Sequence, residues 1–315
     1  MSVVATVLKP GIETTVQDAG RTQFRHVGTP QSGAADRLSF ALTNAAVGND
    51  WDAPALECAS LGPTLQFEAD TAFAIGGADM AATLNDAPAT RYTLHHAKAG
   101  DILALHAAKA GLRSYIAIAG GVIGRAALGS VSTYAPASLG GIGGRALRQD
   151  DQIEGANAPC AAPLDIPASL APPITNDAVL RMVRGPEFHL LDAAAQKQFL
   201  SEAFIASRRA NRMGVELTGR AICPPAEFSM LSSPVYPGTV QCPPSGNPFL
   251  LLADAQTVGG YARIAQVVDA DLHLAAQIRP DAKIWFSAIT ASEAREIAAQ
   301  QTAFYAAYLP GFRFG

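Results

Sequence analysis

FLLLADAQTVGGYARIA (249–265) is the stretch on which the fold turns. Two apolar segments that read as buried strands flank an acid, an amide, a hydroxyl, two glycines and a tyrosine. A plain hairpin needs only the flexible turn, because glycine supplies the left-handed backbone that tight turns demand. Asp254, Gln256, Thr257 and Tyr261 exceed that need, so the stretch predicts both a strand-turn-strand unit and the lip of a site.

The same period-two pattern recurs outward along the chain. Leu65, Phe67, Thr71, Phe73 and Ile75 punctuate one stretch, and 102–105, 115–118 and 180–183 supply others. Helical spacing is clear at Leu38, Leu42, Ala45 and Ala46, over 192–200, and over 290–309. The last opens with Thr290-Ala-Ser-Glu293, a capping box. A mainly β protein with a few peripheral helices follows. At 315 residues the chain is about twice a common ~150-residue domain, which predicts two domains. Pro159, Pro163, Pro167, Pro172 and Pro173 crowd an aperiodic stretch, so the expected division is 1–155, a Pro-rich linker or strap over 156–176, and 177–315. LHHAKAGDILAL (94–105), GRALRQDDQIE (144–154) and AAQIRPDAKIWF (275–286) each run from a basic residue through an Asp-bearing turn into alternating apolar residues, as one turn-and-strand unit used repeatedly would.

Composition narrows the function. Net charge is −4 with no run of like charge, so nothing builds the positive field that a phosphate backbone requires, and nucleic acid is excluded. The longest apolar run, 115–123, is about half of the ~20 residues a membrane span takes, and no export signal opens the chain. Cys58, Cys160, Cys223 and Cys242 form no C-x-x-C and have no histidine at finger spacing, which points to reduced thiols in a cytoplasmic protein and to no metal site. His95 and His96 are adjacent on a strand, face opposite ways and cannot share a metal. Gly141-Ile-Gly143-Gly-Arg-Ala146 fits the dinucleotide pattern formally but lacks the strand before it and the helix after it. No Gly-Lys dipeptide exists for a phosphate loop, and no G-x-S-x-G for a serine nucleophile.

Two polar clusters remain. Residues 14–49 hold Gln17, Asp18, Arg21, Arg25, Asp36, Arg37, Asn44 and Asn49 among glycines, and 207–219 hold Arg208, Arg209, Asn211 and Arg212. Guanidinium forks grip carboxylate or carbonyl oxygens in a fixed plane.

TTVQDAGR (14–21), SGAADR (32–37), GGADMAATLN (76–85), GLRSYIAIAGG (111–121), RMG (212–214), PGTVQCPPSGNP (237–248) and LLADAQTVGGYARIA (251–265) together resemble, in order, the biotin-dependent carboxyltransferase family, also called allophanate hydrolase subunit 2. The resemblance implies two cyclophilin-like β-barrel domains. It also implies one component of an ATP-dependent complex that opens 5-oxoproline to glutamate with partner subunits B and A, ATP being used by the complex and no cofactor being held by this chain. Two alternatives come with the family: carboxyl transfer from carboxybiotin to urea or another amide, and a regulatory protein that antagonises a subunit-B-like kinase inhibitor.

Activating a lactam or urea carbonyl takes donors aimed at its oxygen and a carboxylate near its nitrogen or the attacking water. Asp18, Asp36, Asp254 and Gln256 are the expected catalytic groups. Gln17, Arg21, Arg212, Gln241, Thr257, Gly259, Gly260 and Tyr261 are the expected substrate contacts. Two departures stand out. The family commonly shows Ser-Asp-Arg-Met-Gly-x-Arg, and here Asn211 and Glu216 change the charge; Ala255 replaces a usual Arg before Gln256.

Overall fold

The computed structural model describes residues 2–156, 160–222, 224–225 and 229–314; Pro159 and Cys223 lie outside the described residues. The chain divides into two compact units. Unit 1 takes residues 1–21, 32–174 and 305–312, and unit 2 takes 22–31, 175–304 and 313–315.

Unit 1 contains β1 (Ser2–Lys9), β2 (Glu13–Gln17), α1 (Arg37–Ala46), β3 (Ala55–Ala59), β4 (Thr64–Phe67), β5 (Thr71–Asp79), β6 (Thr83–Leu84), β7 (Ala87–Pro88), β8 (His95–Ala97), β9 (Ile102–Ala104), β10 (Ala110–Ile118) and β11 (Gln152–Gly155). They form a six-stranded sheet, β11-β1-β4-β9-β6-β7, and a five-stranded sheet, β2-β3-β10-β5-β8. Alternation does the folding: Leu65, Phe67, Phe73 and Ile75 turn inward, and both sheets contribute to one apolar core with Val7, Leu56, Leu103, Ile116 and Ile153. Phe67 and Phe73 face each other across it at 5.1 Å. Burying such side chains contributes about 1.5–3 kcal/mol each.

Unit 2 contains β12 (Ala178–Arg184), α2 (Ala193–Ser201), β13 (Phe204–Ala210), β14 (Gly214–Thr218), β15 (Ser233–Pro234), β16 (Thr239–Cys242), β17 (Phe249–Leu251), β18 (Val258–Gly259), β19 (Ala262–Val267), α3 (Leu272–Ala275) and β20 (Lys283–Ala288); α4 runs over Ala291–Tyr305. Seven of these strands close into a barrel in the order β12-β19-β16-β17-β14-β13-β20. Its interior is filled by Leu180, Met182, Phe204, Val215, Leu217, Val240, Leu250, Ile264 and Ile284. A barrel this small has room inside for side chains and little else. The architecture is therefore mainly β, with a closed barrel of the cyclophilin-like kind.

The turn shared by the three similar segments is one structure used three times. In Lys98-Ala-Gly-Asp101, Arg148-Gln-Asp-Asp151 and Arg279-Pro-Asp-Ala282, the fourth residue's amide donates to the first residue's carbonyl at 3.0, 3.2 and 3.2 Å. The third residue, Gly100, Asp150 or Asp281, has positive φ each time. In all three its amide reaches the carbonyl of a neighbouring strand residue, Phe67, Val7 or Ala206 respectively. In the first two the aspartate closes the loop by accepting from the first residue's amide at 2.7 Å. Ala282 lacks that carboxylate.

Helix ends follow their local signals. Thr290 and Glu293 cap α4 reciprocally, Thr290 N to Glu293 at 2.7 Å and Glu293 N to Thr290 Oγ1 at 3.2 Å. The expected helix over 290–309 stops at Tyr305. Between Cys160 and Asp177 the described chain contains no helix or strand. Its first half is tied to unit 1: Ala161 and Leu164 donate to the carbonyls of Gly48 and Ala45. The glycine-rich 140–144 segment is likewise all turn, with four glycines at positive φ.

Candidate functional site

The 207–219 cluster leads to a concave face of the unit 2 barrel. On β14, Val215 and Leu217 enter the core, so Gly214 and Glu216 face outward. On β17 Leu250 is core, which turns Phe249 outward. On β16 Val240 and Cys242 are core, which turns Gln241 outward. Register aligns the three: Glu216 lies opposite Phe249, and Gln241 lies opposite Phe249 from the other side. Glu216, Phe249 and Gln241 thus form a row across adjacent strands, spanning roughly 10 Å at two strand spacings.

Two β-bulges flank the row, one between Ala206 and Ala210 on β13 and one at Ile264 on β19, where the single step from Val240 to Gln241 on β16 is matched by two residues from Ala265 to Arg263. Bulges re-aim side chains, and here Arg208 and Arg209 come to the rim. The result is a cleft of about 940 Å³ whose walls include Arg208, Arg209, Asn211, Glu216, Gln241, Asn247, Phe249, Gln256 and Tyr261.

The polar groups of this cleft are interlinked. Gln256 Nε2 donates to Gln241 Oε1 at 3.0 Å, and Gln241 Nε2 lies 3.5 Å from the Tyr261 carbonyl. Gly259 permits this: a Cβ there would lie 2.5 Å from Gln241 Nε2. Glu216 accepts from Ser207 Oγ at 3.0 Å and from Asn247 Nδ2 at 3.4 Å, with Arg209 Nε 3.9 Å away. Tyr261 is half exposed and Thr257 is buried. Asn211 commits its side-chain oxygen to the amides of Met213 and Gly214, which shapes the β13-β14 turn.

Arg212 and Asp254 do not line this cleft. They form a buried bidentate pair, Nε to Oδ2 at 2.9 Å and Nη2 to Oδ1 at 3.1 Å, each side chain about nineteen-twentieths buried. Main-chain bonds run beside them, Asp254 N to Arg212 O at 2.8 Å and Leu252 N to Met213 O at 2.9 Å. The pair bolts the β13-β14 turn to the segment after β17. Ala255 is fully buried against Val235 and Leu251 and does not line the cleft.

The remaining expected residues belong to unit 1, where each has a definite local task. Asp18 is surrounded by donors: Ser130 Oγ at 2.6 Å, Gly20 N and Val131 N at 2.8 Å, and Ser132 Oγ. Arg21 is buried and donates to the carbonyls of Ala127 and Ser132. Gln17 is fully buried; its Nε2 donates to Thr15 Oγ1 at 2.9 Å and Thr133 O at 3.2 Å, while Oε1 has no partner among the described residues. Asp36 is the N-cap of α1, accepting from Ser39 N at 2.9 Å. Its own amide donates to the Tyr115 hydroxyl, which in turn donates to Glu57, and Glu57 faces Arg113 in a buried ion pair. Burial first, then the nearby Glu57 and Asp36 carboxylates, push the Tyr115 phenol well above its ordinary range. Tyr92, buried beside Ser39 and near Asp36, is pushed up to about 12.

Against known proteins, residues 27–288 match the family described as carboxyltransferase domain, subdomain A and B. The chain belongs to this carboxyltransferase family. It is 36% identical to the C subunit of 5-oxoprolinase from Haemophilus influenzae, over 90% of this chain and 90% of that protein. It is 35% identical to the corresponding 5-oxoprolinase protein of Escherichia coli, over 95% and 96%. The urea carboxylase of Kluyveromyces lactis, a crystal structure, superposes with a TM-score of 0.92 at 29% identity, and the chain covers 29% of it. The urea amidolyase of Lachancea kluyveri is 32% identical over 94% of this chain and 17% of its own length. The chain thus spans about a fifth of the amidolyases and nearly all of the oxoprolinase subunits.

Sequence reasoning missed Phe249 and Asn247. Phe249 opens an apolar run and reads as core; only the parity of β17, fixed by Leu250, turns it outward. Asn247 was visible in PPSGNP, but nothing local ties it to Glu216, 31 residues away.

Proposed function

We propose that this chain is the C component of an ATP-dependent 5-oxoprolinase, opening 5-oxo-L-proline to L-glutamate together with subunits B and A. The observation that carries this reading is the cleft on the outer wall of the barrel, lined by amide side chains and rimmed by arginine, on a chain similar from end to end to 5-oxoprolinase components. Amide side chains pair with a lactam's carbonyl and N–H, and an arginine rim suits a carboxylate. Gln241, Gln256 and Tyr261 are the substrate contacts in this reading, with Thr257, Gly259 and Gly260 shaping their approach. Arg212 and Asp254 hold the lip in place, and Asp18, Arg21, Gln17 and Asp36 hold the unit 1 loops.

Co-expression with subunits of the A and B type tests it. Glutamate should form only with both ATP and 5-oxoproline present, and Gln256→Ala should lower the rate while the complex stays intact. An intact complex without turnover, or a variant indistinguishable from wild type, removes the reading. The likeness to urea carboxylase favours a second reading, carboxyl transfer to an amide nitrogen. Carboxybiotin-dependent carboxylation of urea by this chain would establish it.

A further inference from the structure

We propose that Glu216 is a specificity-determining residue that accepts the N–H of a ring amide lying flat on Phe249. The inference rests on the cleft being the substrate site. Three observations converge on it.

The first is placement. Glu216 and Gln241 stand on either side of Phe249 in one cross-strand row, so an aromatic floor lies between a carboxylate and an amide. A small planar ring on that floor reaches both. Glutamate and glutamine side chains are long enough to close the roughly 10 Å between their backbones onto a single ring.

The second is how Glu216 is held. Ser207 and Asn247 each donate to a different oxygen of the carboxylate. An ionised carboxylate has about four acceptor positions, so two such bonds fix its orientation and leave capacity for a ligand. The side chain is only 12% exposed, so an N–H reaching it forms its bond away from most water. Arg209 is 3.9 Å away but 83% exposed, too loosely held to neutralise it.

The third is chemical sense. A negative group at this place repels an anion and favours a donor.

The test compares 2-pyrrolidinone with N-methyl-2-pyrrolidinone, which differ in the ring N–H alone, binding to the purified full chain followed by NMR. Wild type should prefer the N–H compound by at least about tenfold, the scale of one hydrogen bond to a charged group. Glu216→Met should abolish the preference, and Glu216→Gln, which keeps an acceptor without charge, should retain part of it. Should the methionine variant fail to fold, the wild-type pair and the glutamine variant still decide. Equal binding of both compounds by wild type, no binding of 2-pyrrolidinone at the cleft, or full preference surviving in Glu216→Met overturns the proposal. No turnover is read, so equal binding would leave the oxoprolinase reading standing, and an inactive complex would leave this result unaltered.

Discussion

Asp254→Ala is expected to unfold much of what holds the lip of the cleft. The Arg212-Asp254 pair makes two hydrogen bonds, of 2.9 and 3.1 Å, with both side chains almost fully buried. Deleting the carboxylate removes the counter-charge of a guanidinium that is itself almost fully buried, and breaking a buried pair in this way costs about 3–5 kcal/mol. Domains as a rule are stable by about 5–15 kcal/mol, so unit 2 should lose about a fifth of its margin or more. Replacing both partners, Arg212→Met with Asp254→Leu, removes charge and countercharge together and should cost far less, about 1 kcal/mol in the same reasoning. The two tryptophans allow a direct assay, since Trp51 belongs to unit 1 and Trp285 to unit 2. In a Trp51→Phe background, urea unfolding followed by Trp285 fluorescence reports unit 2 alone. A loss below about 1 kcal/mol for Asp254→Ala, or a double variant worse than the single one, would refute the reasoning.

Gly259→Ala should push Gln241 out of place, because the added methyl would approach its Nε2 to 2.5 Å; a melting shift worth about 1–3 kcal/mol is expected, with loss of any ligand contact through Gln241. Asp18→Ala removes the acceptor for two hydroxyls and two amides and should destabilise unit 1 by about 3 kcal/mol, measured by Trp51 fluorescence in a Trp285→Phe background. Alkaline pH should loosen unit 1. Burial raises Tyr92 from 10.0 to about 12, so the folded state keeps a proton that the unfolded state releases. That contribution is fully present below pH 10 and is lost as the pH climbs through about 12, amounting to about 3 kcal/mol for two pH units. Urea titrations at pH 9, 10 and 11 should show stability falling, and Tyr92→Phe should flatten the slope only in part, because Tyr115 shifts the same way.

The features legible beforehand were the local ones. Strand parity at Leu65 and Phe67 on β4 and at Phe73 and Ile75 on β5, and the Thr290-Glu293 capping box, each rest on residues within one element. Asp36 carried a local signal that was open to a different reading: an aspartate just before the helical spacing at Leu38 and Leu42, three residues ahead of an amide it could cap. Asp18, by contrast, takes two serine hydroxyls from 112 and 114 residues away, Asp254 lies 42 residues from Arg212, and Asn247 lies 31 residues from Glu216. Such pairings are set by strand register, and register depends on cores that no short window contains.

Register also explains why the cleft is outside the barrel. The interior is occupied by side chains such as Leu180, Phe204, Val240 and Ile284 that are at most 1% exposed, which leaves no space for a ligand there. A chemically useful surface must then come from residues of the opposite parity, which on β14, β16 and β17 are Glu216, Gln241 and Phe249. Each of these strands is short, three to five residues, and each contributes one residue to the row. The bulges on β13 and β19 break the parity of the two strands on either side of the row, and the one on β13 brings the arginine rim onto the face that carries Gln241. A one-residue slip of β17 against β14 would put Leu250 in the cleft and Phe249 in the core. The buried Leu250 therefore positions the cleft floor as firmly as any residue that faces it, and Leu250→Asp should abolish both the fold of unit 2 and the row, whereas Leu250→Ile should preserve both at a cost under about 1.5 kcal/mol.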